Sequence, residues 1–443
     1  MSKNKKLNFM SLAVPIFIEM LLWTTFNNVD TIMLSRYSDV AVAAVGSTGQ
    51  LVFFIMLFLQ IIATGTGILI SQNLGKRDYE KAENSAKIAL YFNFLVGILL
   101  SILVFKYHFQ MVKFLGLEDK ALLMGSRFYK IIGTFTFIQA IGLINTTILR
   151  SYRFPKYSMY INIFSNILNI IGNAIFIFGL FGMPVLGEVG VAISTVFSQF
   201  IGIIISFIII KKKLNIHLLS NIKIKENLYL LKEIGKIGIP SVAENLLYNT
   251  SQIMIIKMVA TYGTDALTAR AYIFTLLRFV FIISISSGSA AQIITGFLAG
   301  ANRHRVAKKA VIKIYLQTVL LIIIVATTLI IFRENLIRIF TTNEAVILLA
   351  KDAFLTILFL ETGRTLNIIF ISSMKGAGDV IFPVIMGVIF MWIVGVGGGY
   401  LLVIKFGFGL FGAFIATGLD EWSRGIIMFI RWIRGDWIKI IKK

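Results

Sequence analysis

Apolar residues in this chain run on in long stretches instead of alternating with polar ones, as in Ile88–Phe105 and Ala310–Phe332. A helix needs roughly 20 such residues to cross the hydrocarbon core of a bilayer. A membrane β-strand is shorter and alternates polar with apolar positions. No water is available at mid-bilayer to satisfy the backbone, so an unbroken apolar run must close its own hydrogen bonds as a helix. The pattern therefore predicts an all-α membrane protein of about twelve spans, at 9–34, 42–70, 88–105, 124–148, 157–180, 188–210, 235–259, 266–298, 311–332, 347–371, 381–405 and 410–433.

The polar connections between these runs alternate in character. One set is rich in cations: Lys76, Arg77, Lys81 and Lys87; Arg150, Arg153 and Lys156; Lys211, Lys212 and Lys213 with Lys223, Lys225, Lys232 and Lys236; Arg303, Arg305, Lys308, Lys309 and Lys313. The other set holds few, chiefly Lys106, Lys113, Lys120, Arg333 and Arg338. Lys and Arg mark cytoplasmic loops. Both termini are basic too, which places them in the cytoplasm and requires an even number of spans. The opening MSKNKKLNF leads into a long first span with no small-residue cleavage site after a short apolar core, so it reads as a retained helix.

The same pattern repeats once. Shifted by 225 residues, Pro15 meets Pro240, Glu19 meets Glu244, Thr25 meets Thr250, Met33 meets Met258, Tyr37 meets Tyr262, Gly75 meets Gly300 and Arg150 meets Lys375. After a slip of three residues, Gly190 meets Gly412 and Thr195 meets Thr417. The chain thus divides into a six-helix half at 1–210, a cytoplasmic linker at 211–234 and a second six-helix half at 235–443. Six spans each make the repeats parallel, related by an axis along the membrane normal. Substrate is expected near mid-membrane between the halves, with rocking of one against the other giving alternating access.

Composition sharpens this picture. The chain is 57% hydrophobic and 14% charged, with a mean hydropathy of +0.86, against about 45–50% and about 25% in soluble domains. Its net charge of +22 is accounted for by basic loops facing anionic lipid, so nucleic acid is not an expected partner. With no cysteine, disulfides and thiolate metal sites are excluded. His108, His217 and His304 all fall in connecting stretches, and no GxxxxGK[ST] phosphate loop is present. Without a membrane-embedded His or Cys, and with two similar halves, an intramembrane enzyme is not expected. A cofactor is not expected either.

A charge at the centre of a membrane helix costs about 2.5–3.5 kcal/mol on insertion scales, so intramembrane polar residues need a reason. Glu19, Asn27 and Asp30 share one face of the first span, and Asn162, Asn166, Asn169 and Asn173 share one face of the fifth. Asn162 and Asn166 fit an interhelical hydrogen-bond stripe. The repeat separates the acids. Glu19 and Glu244 are equivalent, which suits a shared scaffold, whereas Asp30 aligns with Ile255. Glu361, Arg364 and Asn367 align with Thr136, Gln139 and Gly142 and are likewise unpartnered in the repeat. Glu361 and Arg364, three residues apart, can neutralise one another. Glu244, Tyr248 and Gln252 line one face of the seventh span. Arg424 can neutralise Asp420 or Glu421 in the twelfth. A possible second-half site therefore comprises Glu244, Gln252, Glu361, Arg364 and Asn367.

Several of these stretches resemble the multidrug and toxic compound extrusion (MATE) transporters: P-x3-E-x10-D-T-I-x2-[ST]-R at Pro15–Arg36, SQNLGKRDYEKA at Ser71–Ala82, FIFGLFGMPVLGEVGVAIST at Phe176–Thr195, E-x-G-R-x2-N at Glu361–Asn367 and K-G-A-G-D-V-x-F-P at Lys375–Pro383. The resemblance covers the whole chain in order. It implies two six-helix lobes in a V, and export of amphipathic, cationic organic compounds by a monomer in the cell membrane, driven by sodium or protons. It also implies a cation-coupling site of Asp30, Asn169, Asn173 and Thr195. Carboxylate, amide and hydroxyl oxygens together suit a hard cation, and a carboxylate alone suits a proton. Some proton-linked relatives carry Asp where this chain has Asn173, so both ions stay open. The alternative within the superfamily is a flippase for a lipid-linked or polysaccharide precursor, whose cationic cavity would draw on Lys257, Arg270, Arg278 and Arg364.

Overall fold

A computed structural model describes residues 8–218 and 224–441, among which there is no β-strand. The side chains of Asn27 and of residues 224–226, and the linker residues 219–223 with Lys223 among them, lie outside the described residues. The helices run in the order α1 (Phe9–Ser35), α2 (Asp39–Lys76), α3 (Tyr79–Phe114), α4 (Asp119–Thr134), α5 (Thr136–Ser151), α6 (Pro155–Phe178), α7 (Glu188–Ile209), α8 (Ile224–Ala260), α9 (Thr264–Gly300), α10 (His304–Ile331), α11 (Arg333–Arg338), α12 (Glu344–Phe354), α13 (Ile357–Ala377), α14 (Ile381–Phe390), α15 (Gly409–Arg434) and α16 (Trp437–Ile441).

Among the described residues, nine helices are long and apolar enough to cross a bilayer, ten if the bent pair α4 and α5 forms one span. The remaining long helices are α8 and α15. They fall outside that group because polar residues interrupt the apolar stretch: Glu244, Asn245, Asn249 and Gln252 in one, the charged Asp420, Glu421 and Arg424 in the other. Counting both gives the expected twelve. Several helices overshoot the apolar runs. The 38 residues of α2 span about 57 Å at 1.5 Å per residue, against about 30 Å of hydrocarbon. For this reason His108 lies inside α3 rather than in a connection, with Nδ1 2.7 Å from Ser126 Oγ. His304 likewise opens α10. In the same way α8 begins at Ile224, eleven residues before the expected span.

The 51° bend between α4 and α5 frees backbone groups that a bilayer cannot solvate. Neighbouring side chains take them up: Thr136 Oγ1 donates to Gly133 O at 2.8 Å, and Phe137 N–H donates to Ser101 Oγ of α3 at 3.3 Å. Beyond α14 the helix widens into π turns at Met391–Gly397 and Tyr400–Lys405, in a glycine-rich stretch where four-residue hydrogen bonding gives way to five.

The contacts divide the chain into two compact units. The first comprises Ile18–Leu74 and Asp78–Gly238; the second comprises Ile239–Lys443 with Gly75–Arg77 and the start of α1. In the first, Leu34, Ala41, Phe128, Ile132, Ile177 and Ala192 pack into one apolar cluster. In the second, α9, α12, α13 and α15 enclose a larger one around Ala269, Ile273, Phe354, Ile357, Leu360 and Phe414.

Each unit carries the same clasp. Tyr37, just past α1, packs on Gly187 ahead of α7; Tyr262, just past α8, packs on Gly409 at the start of α15 and donates from its hydroxyl to Val403 O at 2.6 Å. Both glycines have positive φ, 55° and 51°, where an L side chain is strained. A Cβ at either would also press on the tyrosine ring.

Candidate functional site

Three polar constellations lie within the spans. The first joins α1, α6 and α7. Asp30 sits half-buried near the end of α1. Asn169 and Asn173, four residues apart, are carried by one face of α6 and are buried. Asn173 Nδ2 donates to Asp30 Oδ1 at 2.8 Å. Turning the Asn169 amide satisfies both of its ends: Nδ2 then donates to Asp30 Oδ1 at 3.1 Å, and Oδ1 accepts from Thr195 Oγ1 at 3.1 Å and Thr195 N–H at 3.2 Å. Thr195 lies on α7, where its hydroxyl is also 2.8 Å from Val191 O. The structure thus brings Asp30, Asn169, Asn173 and Thr195 together as a carboxylate ringed by neutral amides and a hydroxyl. Asn173 Oδ1 is buried without a hydrogen-bond partner.

The second constellation occurs once in each unit. In the first, Glu19 of α1 is buried and receives Arg150 Nη2 at 2.8 Å, Ser158 Oγ at 2.7 Å and the Asn162 amide. Asn162 therefore links helices, as its place in the stripe suggested, whereas Asn166 bonds back to Asn162 O of its own helix at 2.8 Å. In the second unit, Lys375 Nζ donates to Glu244 Oε2 at 2.6 Å. Reading the acids alone left out these cations. The signal was present in the repeat, because Arg150 and Lys375 align in the same register as Glu19 and Glu244.

The third constellation lies between α13 and α15. Glu361 and Arg364 form the expected pair, but they are not self-contained. Asn367 Nδ2 donates to Glu421 Oε2 at 2.6 Å, and Arg364 Nε lies 3.6 Å from Glu421 Oε1. Arg424 grips both oxygens of Asp420, at 3.0 and 2.6 Å, and reaches Glu421 Oε1 at 3.2 Å. Glu361, Arg364 and Asn367 thus join Asp420, Glu421 and Arg424 in one buried network. Glu244 is not part of it, being paired with Lys375. Gln252 is half-buried on α8, one turn beyond Tyr248.

Of the carboxylates well inside the spans, Asp30 is the one with no Lys or Arg partner among the described residues. A carboxylate in that setting can hold a proton, or a small hard cation with the amide and hydroxyl oxygens as co-ligands.

The comparisons with known proteins cover the whole architecture. The family model MatE matches residues 15–175 and again 240–401, two matches whose starts are 225 residues apart. The chain is 36% identical over 436 residues to the uncharacterized transporter YisQ of Bacillus subtilis, covering 98% of this chain and 96% of that one. It is 25% identical over 389 residues to the multidrug export protein MepA of Staphylococcus aureus, covering 86% of this chain and 84% of that one. A crystal structure of a MATE protein in a bent conformation superposes with a TM-score of 0.86 at 19% identity, over 98% of this chain and 95% of that one.

Proposed function

The chain belongs to the MatE family of multi-pass membrane transporters, and on that premise we propose that it exports amphipathic, cationic organic compounds by alternating access, in exchange for a cation bound at Asp30. The observation that carries this reading is the unpaired state of Asp30. Its negative charge lies within an apolar helix, and among the described residues its hydrogen-bond partners are amides. A charge there is expensive, and a family of transporters gives it a use. Asn169 and Asn173 orient the carboxylate through their Nδ2 donors, and a dehydrated sodium ion would need their amide oxygens and the Thr195 hydroxyl turned toward it. The names of relatives such as the multidrug export protein MepA support the substrate class.

Coupling follows from differential affinity. A ligand moves a conformational equilibrium only as far as it binds one state better than the other. The cation on Asp30 and the exported compound must therefore favour opposite states. A flippase would instead need free cations facing a cavity. Arg364, one of the four candidates, is engaged with Glu361 and Glu421.

The basic connections support a cytoplasmic position for both termini. Single cysteines at Lys212 and Lys309 should label only from the cytoplasmic side; labelling of either from outside intact cells overturns this orientation. The decisive experiment is efflux of a lipophilic cationic dye from proteoliposomes, with sodium and proton gradients imposed separately. One gradient should drive efflux, and Asp30→Asn should stop it. Dye export that ignores both gradients would sink the coupling.

A further inference from the structure

We infer that the second unit recognises an anionic group of its cargo through Arg278 of α9, so that the preferred compounds carry a carboxylate beside their cationic group. The part this plays in transport rests on the exporter reading; the binding itself does not.

Arg278 differs from the other arginines in the spans of its unit. Arg364 is engaged with Glu361, Arg424 with Asp420 and Arg431 with Asp379. Arg270 lays its guanidinium over the Phe274 ring at 4.3 Å. Arg278 is exposed, and among the described residues it has no acid, no hydrogen-bond partner and no aromatic ring against its guanidinium.

Its depth gives this meaning. Lys257 and Asp265 flank the short connection from α8 to α9 and mark its aqueous end. Arg278 lies about 20 Å further along α9 at 1.5 Å per residue, within a hydrocarbon core about 30 Å thick. A guanidinium that faced lipid at that depth would be expensive. Arginine cannot escape the cost by losing its proton, so the face on which it stands is wet.

The surrounding positions agree. Thr264, Thr268, Ala271, Thr275 and Arg278 recur on one side of α9, and Thr264, Ala271 and Thr275 are exposed. The end of α8 packs on the start of α9 through Ile255, Val259, Ala266 and Ala269. At about the depth of Arg278, α8 carries Asn245 and Asn249, both exposed. Both helices thus present polar groups at one level. The framework does not need the arginine: its equivalent in the first unit is Phe53, and those of Thr268 and Ala271 are Ala43 and Gly46.

A wet guanidinium with all its donors free fits one chemistry closely. It binds a carboxylate through two parallel N–H···O bonds. A purely cationic compound gains nothing from it and is repelled at close range. A zwitterionic amphiphile gains a charge-assisted pair, and Phe279, 46% exposed beside Arg278, offers an aromatic surface to its apolar body.

A matched pair of fluorescent probes tests this: a rhodamine with a free carboxylate, and its methyl ester, which is cationic only. Binding to the purified full-length protein in neutral detergent is read by fluorescence anisotropy. The wild type should bind the acid about tenfold more tightly than the ester. Arg278→Gln should abolish that preference by weakening the acid alone, with the ester serving as the control for folding. Arg278→Lys keeps the charge without the planar fork and should retain part of the preference; it also covers the case that Arg278→Gln does not fold. Equal affinities in the wild type, a preference that survives Arg278→Gln, or a parallel loss of both probes overturns the assignment. So does displacement of the acid by a stoichiometric amount of anionic phospholipid, which would give the site to a lipid phosphate. Should the wild type show the preference yet export neither rhodamine from proteoliposomes under either gradient, the anion site stands and the exporter reading falls.

Discussion

The two units grew from one repeat yet place their unusual chemistry at different helix seams. In the first, the polar seam is α1 with α6 and α7: Asp30, Asn169, Asn173 and Thr195. Their equivalents in the second unit are Ile255, Val394, Gly398 and Thr417. Only the threonine persists, and it makes the same bond in both places, 2.8 Å to Val191 O and 2.8 Å to Ala413 O. In the second unit the charged seam is α13 with α15, where the first has neutral residues. What the units share is the framework: the tyrosine clasps and the acid–cation pairs Glu19–Arg150 and Glu244–Lys375. The difference separates what the fold requires, which appears twice, from what was added to it, which appears once.

The largest expected effect tests the added part. Asp30→Asn keeps the shape of the side chain and its contact with Asn173 but removes the charge. Gradient-driven efflux should fall below about a tenth of the wild-type rate, a loss of about 1.4 kcal/mol or more in the coupled step, with expression intact. Thr417→Val, the second unit's remnant of the same seam, should leave the rate nearly unchanged. Equal losses from the two would dissolve the contrast between the seams.

Next in size is the shared part. Removing one partner of a buried ion pair costs about 3–5 kcal/mol when the other is stranded. Lys375→Met strands Glu244, whose described charged partner is Lys375 alone. Arg150→Met leaves Glu19 with Ser158 and Asn162, and the Arg150 side chain is itself 26% exposed. The second-unit variant should therefore lose about 3 kcal/mol of stability and the first-unit variant about 1 kcal/mol. Thermal unfolding in detergent measures the order. A larger loss from Arg150→Met would mean that Ser158 and Asn162 do not compensate as the geometry indicates.

The repeat also shows how far the sequence could be read. The span pattern was plain because a bilayer permits few alternatives to an apolar helix. Asp30 stood out because its repeat partner is Ile255. The assembly of Asp30 with Asn169, Asn173 and Thr195 rested on family resemblance, since no spacing rule brings α1, α6 and α7 together. Asp420, Glu421 and Arg424 looked self-neutralising along one helix; their union with Glu361 and Arg364 depends on how α13 meets α15, which periodicity does not encode. Helix ends were misplaced wherever a helix outran its apolar stretch, as at His108 and Ile224.

The smallest expected effect concerns the one detail in which the shared pairs differ. Asn162, which donates to Glu19, has Gly387 as its equivalent, and Ser158 has Pro383. Glu244 therefore lacks the two neutral donors that Glu19 enjoys. Gly387 lies close to it: a Cβ there would stand 3.3 Å from Glu244 Oε1 and 3.6 Å from its Cδ. That is tight by a few tenths of an ångström, but the neighbour is the end of a flexible side chain, which can yield. Gly387→Asn would bring an amide to the carboxylate, and a hydrogen bond to a charged group is worth about 1.5–3 kcal/mol before costs. Replacing glycine inside α14 adds a few tenths of a kcal/mol. Against these stand the crowding and the burial of the amide's remaining polar atoms, leaving a net gain of about 0.5–1 kcal/mol. The penalty of Lys375→Met should shrink in the Gly387→Asn background, because Glu244 then keeps a donor, and a double-mutant cycle reads that coupling directly. The converse, Asn162→Gly, should make Arg150→Met as costly as Lys375→Met. If Gly387→Asn destabilises the protein and shows no coupling to Lys375, then Glu244 does not occupy the place in the second unit that Glu19 occupies in the first, and the equivalence of the two pairs fails.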